Sequence, residues 1–162
     1  SGKSTLLRLI AGLIQPDAGT LALQGGDDDL PIGAHCHYVG HLDAVKPALT
    51  VEQNIGFWGA YLGGGKVSDA LAELRLDHLV DLPAGYLSAG QKRRLALTRL
   101  AAAAKPIWLL DEPTVSLDHA AQQGLTALCK SHLQSGGLII VATHMPIDLS
   151  PADKLGLTGT NG

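Results

Sequence analysis

Residues 107–112 read Ile-Trp-Leu-Leu-Asp-Glu, four apolar side chains running straight into two adjacent carboxylates. A short, continuous apolar run of this kind is what a strand buried on both faces of a parallel sheet requires. In open α/β sheets ligands bind beyond the carboxyl ends of such strands. Two neighbouring carboxylates beside apolar residues are costly unless a cation or a reaction uses them. Asp111 can therefore hold a magnesium shell, and Glu112 can face an attacking water.

Working outward, Leu138–Ala142 (LIIVA) predicts a second strand buried on both faces, 35–40 (HCHYVG) a third, and Thr20–Leu23 a short, β-leaning one. Leu6, Leu7, Leu9, Ile10 and Leu13 follow a helical period that Gly12 and Pro16 punctuate. Thr50 with Gln53 three residues on is a capping-box pattern, Gly63–Gly65 interrupts the helical reading, and Ser68–Leu76 resumes it. Gln91–Ala104 is a helix ending before Pro106, Ala120–Leu133 is another, Gly136–Gly137 is a turn, and Gly156–Gly162 reads as a frayed end. Strands alternating with helices imply an α/β fold with a parallel sheet.

The chain opens Ser1-Gly2-Lys3-Ser4-Thr5. Backbone N–H groups at a helix N-terminus cradle phosphate, a lysine here reaches the β/γ-phosphates, and the Ser4 hydroxyl can ligate Mg²⁺. A phosphate loop of the form GxxxxGK[ST] needs a further glycine, which falls before residue 1, and the only methionine is Met145. The sequence therefore reads as a fragment that starts inside its own first motif. Leu87-Ser88-Ala89-Gly90-Gln91 supplies a second helix start with small residues, suited to capping and to phosphate.

GKST, LSAGQ, WLLDEP, SLD and TH in this order resemble the ATP-binding subunit of an ABC transporter, over essentially the whole chain. The resemblance implies a P-loop core sheet, lacking its first strands here, in one ABC ATP-binding domain over residues 1–162, with an inserted helical subdomain at about 43–100. It implies ATP and Mg²⁺ as ligands. The phosphates would lie on Ser1, Gly2, Lys3, Ser4 and Thr5, and the metal on Ser4 and Asp111. Two subunits would pair head to tail, so that Ser88, Ala89, Gly90 and Gln91 of one meet the nucleotide of the other. Asp118 takes the D-loop position, Glu112 the general-base role, and His144 the switch position. The family usually places a Gln where this chain has His41. An imidazole rarely ligates Mg²⁺ as an amide oxygen does.

Gly40-His41, Leu49-Thr50-Val51-Glu52-Gln53-Asn54 with Phe57-Trp58, the stretch LSAGQKRRLALTRL, and the short tail after GGLIIVATHMP narrow the resemblance. They are similar to the haem-exporter branch serving bacterial cytochrome c maturation. That branch implies multispanning inner-membrane partners docking near His41 and the helical subdomain, with the ATPase peripheral on the cytoplasmic face. The cargo, haem or something else, is not written in an ATPase subunit.

Composition sets the outer bounds. Hydrophobic residues are 46%, charged residues 17% and mean hydropathy +0.17, which excludes a disordered chain. A net charge of −3 and pI near 6.1 give no basic field for nucleic acid. Without heptads or an internal repeat, an ABC ATPase acting on DNA or ribosomes is disfavoured. A degenerate, non-hydrolysing module is opposed by Lys3, Glu112 and His144. Cys36 and Cys129 lie far apart, outside any CxxC spacing. His35-Cys36-His37 is not expected to ligate haem, because alternate strand residues face opposite ways, and Trp58 and Trp108 are expected to pack. The 162-residue chain on its own is expected to bind ATP poorly or not at all and to be inactive as an ATPase. Titration with a fluorescent ATP analogue checks this, and micromolar affinity would contradict it.

Overall fold

A computed structural model describes residues 2–62, 67–102 and 105–157. Its sheet is parallel, with strands β1 (Cys36–Val39), β2 (Ile107–Asp111) and β3 (Leu138–Ala142) in the order β1-β2-β3. Central β2 is buried at every residue, as its apolar run predicts. Leu110 lies between Val39 and Val141, and Asp111 pairs with Ala142. All strands therefore end at one edge, where His41, Glu112 and His144 follow within two residues. β3 departs from its expectation, with Leu138 48% exposed. Only one side of β3 is paired among the described residues, so its outer flank lacks the cover that β2 has on both.

Thr20–Leu23 is not a strand. None of the described strands runs beside it to complete its backbone ladder, and Leu21 is exposed. The remaining strand expectation, 35–40, contracts to β1, preceded by a 3₁₀ turn at Ile32–His35.

The helices are α1 (Lys3–Ile10), α2 (Val51–Leu62), α3 (Val67–Glu73), α4 (Ala89–Ala102) and α5 (His119–Gln134). α1 closes in a Schellman turn, in which the Gly12 N–H donates to Leu9 O and the Leu13 N–H to Arg8 O. At α2 the expected capping box forms: the Gln53 N–H donates to Thr50 Oγ1 at 3.1 Å, and the Thr50 N–H to Gln53 Oε1 at 2.9 Å. α3 stops at Glu73, short of Leu76, where Arg75 takes φ +55°. α4 starts two residues before the expected Gln91, because Ser88 is its cap. The expected break at Gly63–Gly65 and the helix end at Ala103–Ala104 lie outside the described residues, as does the tail from residue 158.

The period of two along β2 divides the core. Trp108 and Leu110 pack with Leu95, Leu97 and Leu100 of α4, Leu125 and Cys129 of α5, and Val51, Ile55 and Trp58 of α2. On the other face Ile107 and Leu109 pack with Leu7 of α1 and Ala142. Both tryptophans are thus core residues, and the Trp108 ring also stacks on His132 at 3.9 Å between centroids. α5 approaches α3 closely at Gly124, where a Cβ would strike the Glu73 carbonyl oxygen.

His37 is 7% exposed, and its Nδ1 has no hydrogen-bond partner among the described residues. Burial, reinforced by Arg99 and Lys105, pushes its pKa down to about 3. The folded state then binds fewer protons than the unfolded state, so stability is complete above the unfolded value near 6.5 and is lost as pH falls towards 3. Acidification from pH 7 to 5 is expected to cost about 2 kcal/mol through this residue. Denaturant titrations at both pH values should show this difference, and His37→Phe should remove most of it.

Candidate active site

Asp111 ends β2 with 1% of its side chain exposed. Its Oδ1 accepts a 3.0 Å hydrogen bond from Ser4 Oγ, and its Oδ2 accepts one of 3.3 Å from the Tyr38 hydroxyl. His41 Nε2 stands 3.8 Å from the same Oδ2. One residue on, Glu112 turns the chain through φ +47°, a conformation that costs a non-glycine residue roughly 1–2 kcal/mol. Its N–H donates to Ala142 O at 2.8 Å, which extends the β2–β3 ladder into the turn.

The loop after β3 brings His144 to this carboxylate. The His144 N–H donates to Glu112 Oε2 at 3.3 Å, and Nε2 lies 3.5 Å from Oε1. Lys3 Nζ reaches from α1 to within 3.5 Å of both Thr143 O and His144 Nδ1. Lys3, Ser4, Asp111, Glu112 and His144 thus form one cluster, with His41 on its flank. Ser1 lies outside the described residues. Gly2, the N-cap, and Thr5 are exposed at the same end of α1.

Helix N-termini differ sharply in how their free N–H groups are used. At α2 the Val51 and Glu52 N–H groups donate to Leu82 O and Val80 O, in addition to the capping box, and at α5 the Asp118 carboxylate accepts from the Ala121 N–H at 2.8 Å. α1 has no side-chain cap and no acid in its first turn, and the N–H groups of Lys3, Ser4 and Thr5 have no partner among the described residues. Such an end, with a lysine beside it, suits an anion. At α4 a second capping box joins Ser88 and Gln91, at 2.8 and 3.2 Å, leaving the Ala89 and Gly90 N–H groups free among the described residues. A Cβ on Gly90 would come 3.0 Å from Ser116 O, so the residues before Asp118 lie against this helix start. Among the described residues, Ser88–Gln91 and Asp118 make no hydrogen bond or ion pair with the Lys3 cluster.

The donor set fits a hard divalent cation. Ser4 Oγ and Asp111 Oδ1 are oxygens 3.0 Å apart, close to the edge of about 2.9 Å of an octahedron with Mg–O bonds of 2.0–2.1 Å. A phosphate on the α1 N-terminus would add its own oxygens. Glu112 keeps 14% of its side chain exposed beside His144. His35, Cys36 and His37 do not converge: Cys36 Sγ donates to Ile32 O at 3.3 Å, His37 is buried, and His35 Nε2 faces Asp27 O at 3.4 Å.

Residue pattern alone does not single out Arg93, Tyr38 and Asn54, which the structure places around the site. Arg93 stands four and seven residues before buried Leu97 and Leu100, which places it on the inner face of α4. That spacing is the sequence signal for its burial. Fully buried Asn54 clamps the segment before α2, with its amide N–H groups on Lys46 O, Leu49 O and Thr50 O and its Oδ1 accepting from the Lys46 N–H.

Residues 1–115 match the family model described as ABC transporter. The cytochrome c biogenesis ATP-binding export protein CcmA of Bradyrhizobium diazoefficiens is 54% identical over 151 residues, covering 92% of this chain and 76% of that protein. The protein of the same name from Nitrobacter winogradskyi is 52% identical over 93% of this chain and 76% of its own length. Among solved structures, the ATP-binding cassette MJ0796, a dimer in a post-hydrolysis state bound to ADP and Pi, superposes with a TM-score of 0.71 at 26% identity, covering 89% of this chain and 70% of that one. The fold, the uncapped start of α1 and the adjacent carboxylates agree with these similarities, and the chain belongs to the ABC transporter ATP-binding family, with the CcmA proteins of cytochrome c biogenesis among its similar members.

Proposed function

We propose that this chain is the ATP-hydrolysing subunit of an ABC exporter serving cytochrome c biogenesis, coupling ATP turnover to haem export or to release of haem from its carrier. The observation that carries the ATPase chemistry is the Ser4–Asp111 pair set beside the Glu112–His144 pair at the open end of α1. The similarity to CcmA supports the biogenesis role.

In this reading the Lys3, Ser4 and Thr5 N–H groups and the Lys3 ammonium bind the β- and γ-phosphates of ATP. Ser4 and Asp111 would hold Mg²⁺, whose charge offsets that of the phosphates. Glu112 takes a proton from the attacking water as its oxygen bonds to the γ-phosphorus. The bond from that phosphorus to the β–γ bridging oxygen breaks, giving ADP and phosphate. His144, tethered to Glu112, faces the γ-phosphoryl group and adds electrostatic stabilisation as charge develops there. Tyr38 and the neighbouring His41 orient Asp111.

The Ala89 and Gly90 N–H groups at α4, unpaired among the described residues, make a second helix end open to an anion, which we assign with Ser88 and Gln91 to the nucleotide of a second subunit docked head to tail. Asp118 belongs to the same contact. Residues 43–100 form the helical subdomain in this scheme. Multispanning inner-membrane subunits would dock on it near His41, holding the ATPase peripherally on the cytoplasmic face. No described helix is long and apolar enough to cross a membrane.

In the full-length protein, Glu112→Gln should lower kcat at least about 100-fold while ATP with Mg²⁺ drives a monomer-to-dimer shift on gel filtration. A monomer at saturating ATP would contradict the two-subunit site. His41→Gln should keep or raise hydrolysis while cytochrome c maturation fails, and unchanged maturation would remove His41 from coupling. The transport role is tested by tagging the Glu112→Gln protein, solubilising membranes gently with ATP present, and identifying what co-purifies. Membrane subunits of cytochrome c maturation support the assignment. An unrelated permease would keep the ATPase and discard the biogenesis role.

A further inference from the structure

Arg93 is 4% exposed, so its guanidinium has been taken out of water and must find its partners inside the protein. It finds them on two separate loops. Nη1 donates to Gly40 O at 2.8 Å and to Asp43 Oδ1 at 3.1 Å, both in the segment that carries His41. Nη2 donates to Glu112 O at 3.1 Å and to Asp111 O at 3.3 Å, the turn where Glu112 sits at φ +47°. Asp43 is the only carboxylate in the set, and Nε has no partner among the described residues. Three of the four contacts are backbone carbonyls, which a planar fork can serve together and an ammonium cannot.

The placement of this fork along α4 gives it meaning. Arg93 stands two residues after Gln91, in the first turns of the helix whose N-terminal Ala89 and Gly90 N–H groups have no partner among the described residues. A small rotation or shift of that helix end must move the fork, and with it the Glu112 turn and the His41 loop. We infer that Arg93 is a positioning residue that couples occupancy of the α4 N-terminus to the placement of Glu112 and of the His41 loop in the same subunit. Among the described residues it makes no hydrogen bond or ion pair with Lys3, Ser4 or the open end of α1, so it acts on the placement of the Glu112 carboxylate and not on phosphate binding. The inference rests on the ATPase reading for its kinetic consequence, but its structural half stands apart from it.

The test uses the full-length protein with Arg93→Gln, Arg93→Lys and Asp43→Asn. Hydrogen exchange is followed in 40–45 and 111–117 with and without the ATP analogue used for binding, alongside steady-state ATPase kinetics. Arg93→Gln should raise exchange at least threefold in both segments and lower kcat at least tenfold, with KM for ATP within about twofold. Arg93→Lys retains the charge but not the fork. It should stay folded and protect 40–45 through Asp43, yet leave 111–117 as exposed as in Arg93→Gln. Asp43→Asn should show the opposite pattern, loosening 40–45 alone. Unchanged exchange at 111–117 in both Arg93 variants would overturn the inference, as would full rescue of kcat by lysine. Loss of kcat and ATP affinity together in Arg93→Lys, with exchange raised throughout the chain, would also overturn it by reducing Arg93 to a general packing role. Exchange changes confined to the two segments in a wild-type protein that hydrolyses no ATP would support the positioning and sink the ATPase reading instead.

Discussion

The hydrogen bond between Ser4 and Asp111 joins the two halves of the site, and much of the architecture can be understood as what makes it possible. Asp111 closes a strand buried on both faces, so its carboxyl group has almost no access to water and its two oxygens must be matched by the protein. Ser4 meets one oxygen and Tyr38 the other. For Ser4 to reach, α1 must lie across the sheet with its N-terminus at the strand ends, and Leu7 packing against Ile107 and Leu109 holds it there. For Tyr38 to reach, β1 must run parallel to β2 in the observed register, with Val39 opposite Leu110.

From that fixed point the other groups divide their roles by environment. Glu112 shares no hydrogen bond with Asp111. The turn at φ +47° carries it away from the strand, towards the exposed His144. Backbone strain at this residue is offset by the bond from its N–H to Ala142 and by the Arg93 fork on its carbonyl. The helix ends divide in the same way. At α2 the protein satisfies its own first N–H groups and the helix is anchored; at α4, as at α5, the cap side chain takes one N–H, and at α1 no side chain caps the end, so among the described residues an anion can complete what is left at α1 and α4.

Much of this was legible in the residues, for identifiable reasons. β2 announces itself because a strand covered on both faces has no polar position to disguise it. The Thr50–Gln53 pair reads correctly because a capping box is a local bond pattern that needs no tertiary partner. The cluster of Lys3, Ser4, Asp111, Glu112 and His144 is foreseen from motif order, although its distances are not. What fails is whatever depends on a neighbour. Among the described residues Thr20–Leu23 has strand-like composition but no adjacent strand, and Leu138 is apolar yet lies on an edge strand. Arg93 and Tyr38 escape notice because a buried polar residue on an amphipathic helix or strand resembles a surface one until its partners are in place.

The central claim is that Ser4 and Asp111 form an oxygen pair that receives the cation accompanying a phosphate on α1. The most direct measurement is the Mg²⁺ dependence of ATP binding by the full-length protein, by calorimetry, in the wild type and in Asp111→Asn. The account predicts that Mg²⁺ strengthens ATP binding in the wild type and that this gain largely disappears in Asp111→Asn, while binding of metal-free ATP persists. An undiminished gain in Asp111→Asn would contradict it and place the cation elsewhere.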